Sequence, residues 1–339
     1  MQYSSHKFLS FIVYSLLTAG CNHVTDPNKS IKNDTQSKKS IENEIQLGSL
    51  ANCQHYSGLP EKWLDSKTAG MVQLPSGSFN LGSDIAYPDE INFGQKQRSV
   101  KPFWIDQTEV TVAQFQSFID ATKYVTDAEK QNQAAVFNPN SASPHQWWQL
   151  KSGYTWRYPN GPKTPPAQSN EPVRFVTKND AEHYALWLGR DLASEIEWEY
   201  AAKAGDSQDI PLHQAPVDHQ HRPLANYWQG EFPFKNTKQD QFESVSPVGC
   251  FPPNAFGLYD QIGNVWEWTS SIYQGAHDQH MGNYESLRQQ QYKSQNFVIK
   301  GGSYLCTNDY CARYRSSSRH PQELDLATSH VGFRTVLRP

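Results

Sequence analysis

The chain is poor in aliphatic residues, has no excess of positive charge, contains no apolar run of membrane-spanning length and carries few cysteines. Hydrophobic residues make up 37% of its 339 positions and mean hydropathy is −0.73, which argues against a core assembled from aliphatic stripes. A net charge of −4 removes the electrostatic reason to bind nucleic acid, and that class of partner is set aside. The most apolar stretch, Phe8 to Leu17, is too short to be a comfortable spanning helix. With only five cysteines in the chain, a place where two lie close together is the place to look for chemistry.

Aromatic residues reach 13%, with ten Trp, so the core must come from rings and satisfied polar groups. Twenty Gly and twenty-one Pro indicate many turns. The length suits one irregular domain of about 270 residues behind an export segment. Lys7, the apolar run and the small residues Thr18-Ala19-Gly20 before Cys21 have the three regions of a secretory signal. Leu17-Thr-Ala-Gly-Cys21 also resembles a bacterial lipoprotein cleavage box. The expectation is a signal peptide over 1–21, a lipidated Cys21 on a bacterial membrane and a protein facing the periplasm. Residues 22–58, rich in Asn, Lys, Ser and Gln, read as a disordered tether, and 59–339 as the folded domain.

Caps and periodicity place the elements. Thr111 with Gln114, Thr177 with Asp180 and Ser194 with Glu197 are spaced as capping boxes ahead of apolar faces, the third stopping at Gly205. Three helices are expected there. Met71–Leu74, Phe103–Asp106, Val298–Lys300 and Gly332–Val336 read as short strands, and 205–265 as long ordered loops. The class is mixed α+β with much irregular chain, in a single domain.

Two cysteines, Cys306 and Cys311, lie near the C-terminus in Gly301-Gly-Ser-Tyr-Leu-Cys306-Thr-Asn-Asp-Tyr-Cys311-Ala-Arg-Tyr-Arg315. A spacing of five brings the sulfurs together on neither a strand nor a helix. Asn308-Asp309 is turn chemistry, however, and a strand-turn-strand excursion would fold both thiols into one small site. Such a pair can close a disulfide, hold a soft metal such as Cu(I), or work as a redox couple.

This segment, with Gly332-Phe-Arg334, resembles the active-site stretch of the formylglycine-generating enzymes, also called sulfatase-modifying factors. The likeness extends back through Asp106-Gln-Thr-Glu-Val-Thr111, Tyr124-Val-Thr-Asp-Ala-Glu129, Trp147-Trp148, Trp156-Arg-Tyr-Pro-Asn-Gly-Pro162 and Glu197-Trp-Glu-Tyr-Ala201. Further landmarks are Ala225-Asn-Tyr-Trp-Gln-Gly-Glu-Phe-Pro233, Phe251-Pro-Pro-Asn254, Gly257-Leu-Tyr259 and Gly263-Asn-Val-Trp-Glu-Trp-Thr269. The resemblance implies that family's fold, a relative of C-type lectin architecture low in regular secondary structure. It implies a copper-dependent oxidase that uses O2 to convert the Cys of a Cys-x-Pro-x-Arg motif, in an unfolded or partly folded sulfatase polypeptide, to Cα-formylglycine. Cys306 and Cys311 would hold Cu(I), Ser303 would orient oxygen or solvent, and Trp266 would wall the site.

Long loops also need something to hold them, and oxygen-rich segments suit Ca2+. By resemblance, one calcium site would use Asn226, the Tyr227 carbonyl, Asp240 and the Phe242 carbonyl. A second would use Asp260, the Gly263 and Val265 carbonyls, and Glu267. His219-Gln-His221 reads as surface loop, and Arg313, Arg315 and Arg319 as holders of a peptide's carboxylates or as structural ion pairs. Relatives carry structural cysteines at positions corresponding to Ala185, Ala202, Ser316 and Thr335, which this chain lacks. Cys53 and Cys250 remain and could bridge the N-terminal arm to the body. Two other readings stand beside the oxidase: a non-catalytic surface lipoprotein that reuses the fold for binding or assembly, and an iron-dependent sulfur-transferring enzyme.

Overall fold

Reciprocal side-chain caps start most of the helices in a computed structural model of the chain, which describes residues 46–92, 94, 96–141, 146–205, 209–275 and 295–339. In order, its elements begin with α1 (Leu50–Cys53), β1 (Met71–Leu74), β2 (Gly77–Asn80), β3 (Gln97–Val100), β4 (Phe103–Asp106), α2 (Val112–Thr122) and α3 (Asp127–Gln131). Then come β5 (Ala134–Phe137), β6 (Trp148–Lys151), α4 (Lys178–Trp187), β7 (Asp191–Leu192) and α5 (Glu195–Lys203). The chain closes with β8 (Trp266–Ile272), β9 (Asn296–Lys300), β10 (Arg319–Glu323), β11 (Val331–Gly332) and β12 (Thr335–Leu337). The architecture is α+β with short elements and long ordered loops.

The boxes expected at Thr111, Thr177 and Ser194 are closed ones: in each, the hydroxyl accepts the backbone N–H three residues on, and that residue's side chain accepts the cap's own N–H. A fourth, Thr126 with Glu129, starts α3, which the sequence reading passed over. α5 ends at Lys203, with its cap Ala204 in the left-handed region at φ 47° and the expected stop Gly205 following at 87°.

One four-stranded sheet has the order β1-β4-β12-β7 and the other β10-β9-β8-β11. The strand expected over Gly332–Val336 is divided between them. Val331 pairs in parallel with Trp266, Phe333 and Arg334 cross between sheets, and Val336 pairs with Ile105. The break has a cause: Arg334 leaves the ladder to grip Glu267 with Nε and Nη2, both at 2.7 Å.

Rings fill the centre, as the composition requires. Phe115 lies 5.4 Å from Phe118, 5.2 Å from Trp156, 5.8 Å from Tyr184 and 6.5 Å from Phe333, mostly edge to face. Such pairs contribute roughly 0.5–1.5 kcal/mol each beyond their buried area.

The tether expected to run to residue 58 is already packed on the body from Gln46 onward. Gly48 N donates to Gly249 O at 2.7 Å, Asn170 Nδ2 donates to Cys53 O at 3.0 Å, and Cys53 is disulfide-bonded to Cys250. That bridge holds an arm whose composition alone would not bury it. The signal region, Cys21 and the tether to residue 45 lie outside the described residues. Among the described residues, no helix is long and apolar enough to cross a membrane.

Candidate active site

β9 ends at Lys300 and the chain turns through Gly301 and Gly302, both at positive φ. A Cβ on Gly302 would meet Arg313 O at 2.4 Å, so this turn requires glycine. Ser303 follows, fully buried. Its Oγ accepts from Leu305 N at 3.3 Å, its carbonyl accepts from Cys306 N at 2.9 Å, and its N–H points at Cys306 Sγ, 3.4 Å away.

Cys306 then leads into a tight hairpin closed by Thr307 and Cys311, whose backbones exchange bonds of 3.1 and 3.2 Å. Thr307 Oγ1 donates to Asp309 Oδ1 at 2.6 Å within the turn. The bend brings Cys306 Sγ and Cys311 Sγ to 3.9 Å as free thiols, Cys306 buried and Cys311 half-buried. Burial pushes the Cys306 thiol well up, while Cys311 is held low, first by the Cys306 S–H it accepts and further by the Arg313 guanidinium. The pair therefore resembles one thiol donating to one thiolate.

Trp266 opens β8 and is buried in the core cluster that also contains Cys306 and Tyr314. The three arginines downstream are engaged within the protein: Arg313 with Asp89 and Glu90, Arg315 with Glu90, and Arg319 with Glu195. His219 and His221 are exposed in a turn, and no cluster of three or more His, Cys, Asp or Glu placed to hold a metal ion occurs among the described residues. On the open side Tyr310, 60% exposed, stacks on Phe232 with ring centroids 5.0 Å apart. The sequence reading missed that aromatic shelf because its two members are separated by 78 positions.

The oxygen-rich loops are tied to one another and to the segment before Cys306. Asn226 Nδ2 donates to Asn264 Oδ1 at 3.1 Å, Asn264 N donates to Asn226 O at 2.8 Å, and Tyr304 N donates to Asn264 O at 2.9 Å. In the first set Asp240 is buried and its carboxyl is pushed up by burial; neutral groups meet it, Gln229 Nε2 at 2.8 Å and Phe242 N at 3.0 Å. Gln229 Nε2 also donates to Tyr227 O, and Asn236 Nδ2 donates to Phe242 O at 3.4 Å. This gathering of a carboxylate and two carbonyls suits a hard cation.

In the second set Glu267 accepts from Arg334 and, at 2.7 Å, from Trp198 Nε1, while Asp260 accepts from Gly249 N at 2.6 Å. Glu109, which the sequence reading did not single out, joins them: it is fully buried, accepts from Asn264 Nδ2 at 3.1 Å and is pushed well up by burial and by Asp260 and Glu267. Three buried carboxylates thus face the single guanidinium of Arg334, a balance that favours a proton or a further cation. Much of Glu267's accepting capacity is already taken.

Comparison with known proteins adds to this geometry. The model of the sulfatase-modifying factor enzyme 1-like domain matches residues 56–339. A formylglycine-generating enzyme of Mycobacterium tuberculosis is 38% identical over 300 residues, covering 79% of this chain and 98% of the relative. A bovine (Bos taurus) protein named inactive C-alpha-formylglycine-generating enzyme 2 is 36% identical over 295 residues, covering 81% of this chain and 91% of the relative. Among solved structures, PvdO from Pseudomonas aeruginosa superposes with a TM-score of 0.55 at 25% identity, covering 81% of this chain and 97% of that one.

Proposed function

The chain belongs to the sulfatase-modifying factor family, and from that premise we propose that it matures sulfatases as a formylglycine-generating oxidase. The observation that carries the reading is the pair of free thiols 3.9 Å apart in a glycine-bounded hairpin, one buried and one half-exposed. Thiolate–metal bonds of roughly 2.3 Å span such a gap, and soft sulfur ligands suit Cu(I). Cys306 and Cys311 would hold that ion, which when bound supplies O2 activation and a place for the substrate thiol.

The remaining work belongs to the chain's own groups. The Ser303 N–H and the buried Cys306 fix one sulfur, and the Cys311 side stays open to an entering peptide. Trp266 walls the inner side and Tyr310 on Phe232 offers a flat outer surface for an extended segment. The substrate would be a sulfatase polypeptide, unfolded or partly folded, presenting Cys-x-Pro-x-Arg. Its thiomethyl side chain, one O2 and two electrons with two protons from a thiol reductant give the aldehyde, hydrogen sulfide and one water. Ca2+ would be held by Asn226, Tyr227, Asp240 and Phe242, and a second ion by Asp260, Gly263, Val265 and Glu267, bracing these loops. Export with lipidation at Cys21 would place the domain on a membrane, facing the periplasm.

The test is turnover. Protein loaded with Cu(I) is mixed in air with a Cys-x-Pro-x-Arg peptide and a thiol reductant, and the aldehyde is read by mass spectrometry. Cys306→Ser and Cys311→Ser should each lose turnover at least about a hundredfold while the fold, by circular dichroism, is kept. Near-normal turnover in either variant rejects the two-thiolate site.

A further inference from the structure

The two thiols are anchored in different ways. Cys306 is buried and its peptide is bonded on both sides, N–H to Ser303 O at 2.9 Å and carbonyl from Trp228 N at 2.8 Å. Cys311 lies on the returning arm beside the exposed turn residues Asn308, Asp309 and Tyr310; its backbone exchanges bonds with Thr307 and its carbonyl also accepts Arg313 N at 2.8 Å, so its backbone ties are all local. A hairpin this short does not by itself fix where its second arm sits.

A long-range anchor comes from a segment far away in sequence. The Tyr87 hydroxyl accepts the N–H of Ala312, the residue next to Cys311, at 3.1 Å. Its ring lies under the guanidinium groups of Arg313, at 4.5 Å, and Arg315, at 5.3 Å. Asp89 takes Arg313 in a two-pronged pair, both bonds 3.0 Å, and Glu90 takes Arg313 at 2.8 Å and Arg315 as well. The segment is braced in turn: Glu90 N donates to Tyr87 O at 2.8 Å, Ser83 N to Glu90 O at 3.2 Å, and Tyr87 N to Glu90 Oε2 at 3.3 Å. These bonds fix the backbone from which Cys311 projects.

We infer that Tyr87 is a positioning residue for Cys311, its hydroxyl setting the separation at which the two sulfurs receive a metal ion. The inference rests on the reading that the pair holds Cu(I), and the test separates the two. Tyr87→Phe removes the hydroxyl but keeps the ring under both guanidinium groups; Tyr87→Ala removes both. Cu(I) affinity is measured anaerobically by competition with a colorimetric Cu(I) chelator, beside thermal melts of the metal-free proteins and turnover at limiting and saturating copper.

Tyr87→Phe should weaken Cu(I) binding by about fivefold to tenfold, the loss of one hydrogen bond, with turnover low at limiting copper and restored at saturation. Tyr87→Ala should weaken it further. A purely structural tyrosine would lower the melting temperature and leave the affinity of the folded protein alone. Wild-type affinity in Tyr87→Phe overturns the positioning role, whereas failure of the wild-type protein to bind Cu(I) overturns the metal reading beneath it.

Discussion

Glu199 holds Lys300, the residue before Gly301, in a buried ion pair whose contribution to stability is measurable. The carboxylate is fully buried on α5, 2.8 Å from Lys300 Nζ and 3.0 Å from Lys203 Nζ, and it also accepts Gly82 N at 2.5 Å. Burial alone would raise its pKa; Lys300 and Lys203 more than offset that and hold it down at about 2, against an ordinary 4.5. At about 1.4 kcal/mol per tenfold change in proton affinity, this arrangement contributes roughly 3 kcal/mol to folding at neutral pH. Because the folded pKa is depressed, the contribution is complete above pH 4.5 and is lost as pH falls towards 2. Roughly 1.4 kcal/mol should remain at about pH 3. Glu199→Gln leaves Lys203 with the Asn80 and Gly82 carbonyls, and Lys300 with the Ser317 carbonyl at 3.1 Å and Glu195 at 3.7 Å. Removing one partner of a buried set costs about 3–5 kcal/mol. Guanidinium unfolding of both proteins between neutral pH and about pH 3 should show a wide gap that narrows on acidification. A gap below about 1 kcal/mol at neutral pH, or one that fails to narrow, refutes this account.

Gly302→Ala should cost at least about 2 kcal/mol in thermal melts, since φ is 80° and the new Cβ would strike Arg313 O; stability near wild type would show that the turn is not held as described. Calcium at about a hundred times its dissociation constant should stabilise the protein by about 2.7 kcal/mol for each site filled, and Asp240→Asn should remove the first site's share. Melts in Ca2+ and in EGTA decide it, and identical curves for the wild-type protein would discard the first calcium site.

What the sequence made legible was mostly local. Thr111, Thr177 and Ser194 announce their helices because a capping box is written within four residues, and Asn308-Asp309 announces the bend that brings two sulfurs together. The features missed depend on partners far along the chain. Gly332–Val336 alternates like one strand, yet Arg334 is drawn off by Glu267, 67 positions earlier. Glu109 stands between the expected strand end at Asp106 and the capping box at Thr111, and only the fold gathers it with Asp260 and Glu267. Residues 46–58 look like tether by composition, although Cys53 and Cys250 are open to bridging the arm to the body, and the structure forms that bond. Arg313, Arg315 and Arg319 could have served a ligand or the fold; Asp89, Glu90 and Glu195 assign them to the fold.

Overall identity cannot decide between catalysis and a reused scaffold, because the chain is 38% identical to a relative named formylglycine-generating enzyme and 36% identical to one named inactive. A difference that small falls within what surface drift alone produces, so the decision must come from atoms that chemistry needs and folding does not. The aromatic core, the capping boxes and the Arg334–Glu267 pair would all serve a binding protein equally well. The Cys306–Cys311 pair is different: a protein using the thiols only for stability would gain more by bonding them to each other, as Cys53 and Cys250 are bonded. Instead two sulfurs are held apart at 3.9 Å, one buried, the other open to an exposed aromatic shelf and braced from behind by Tyr87, Asp89 and Glu90. That arrangement leaves two soft donors ready for a third party, and the variants most able to discriminate are those that alter the spacing without removing either sulfur.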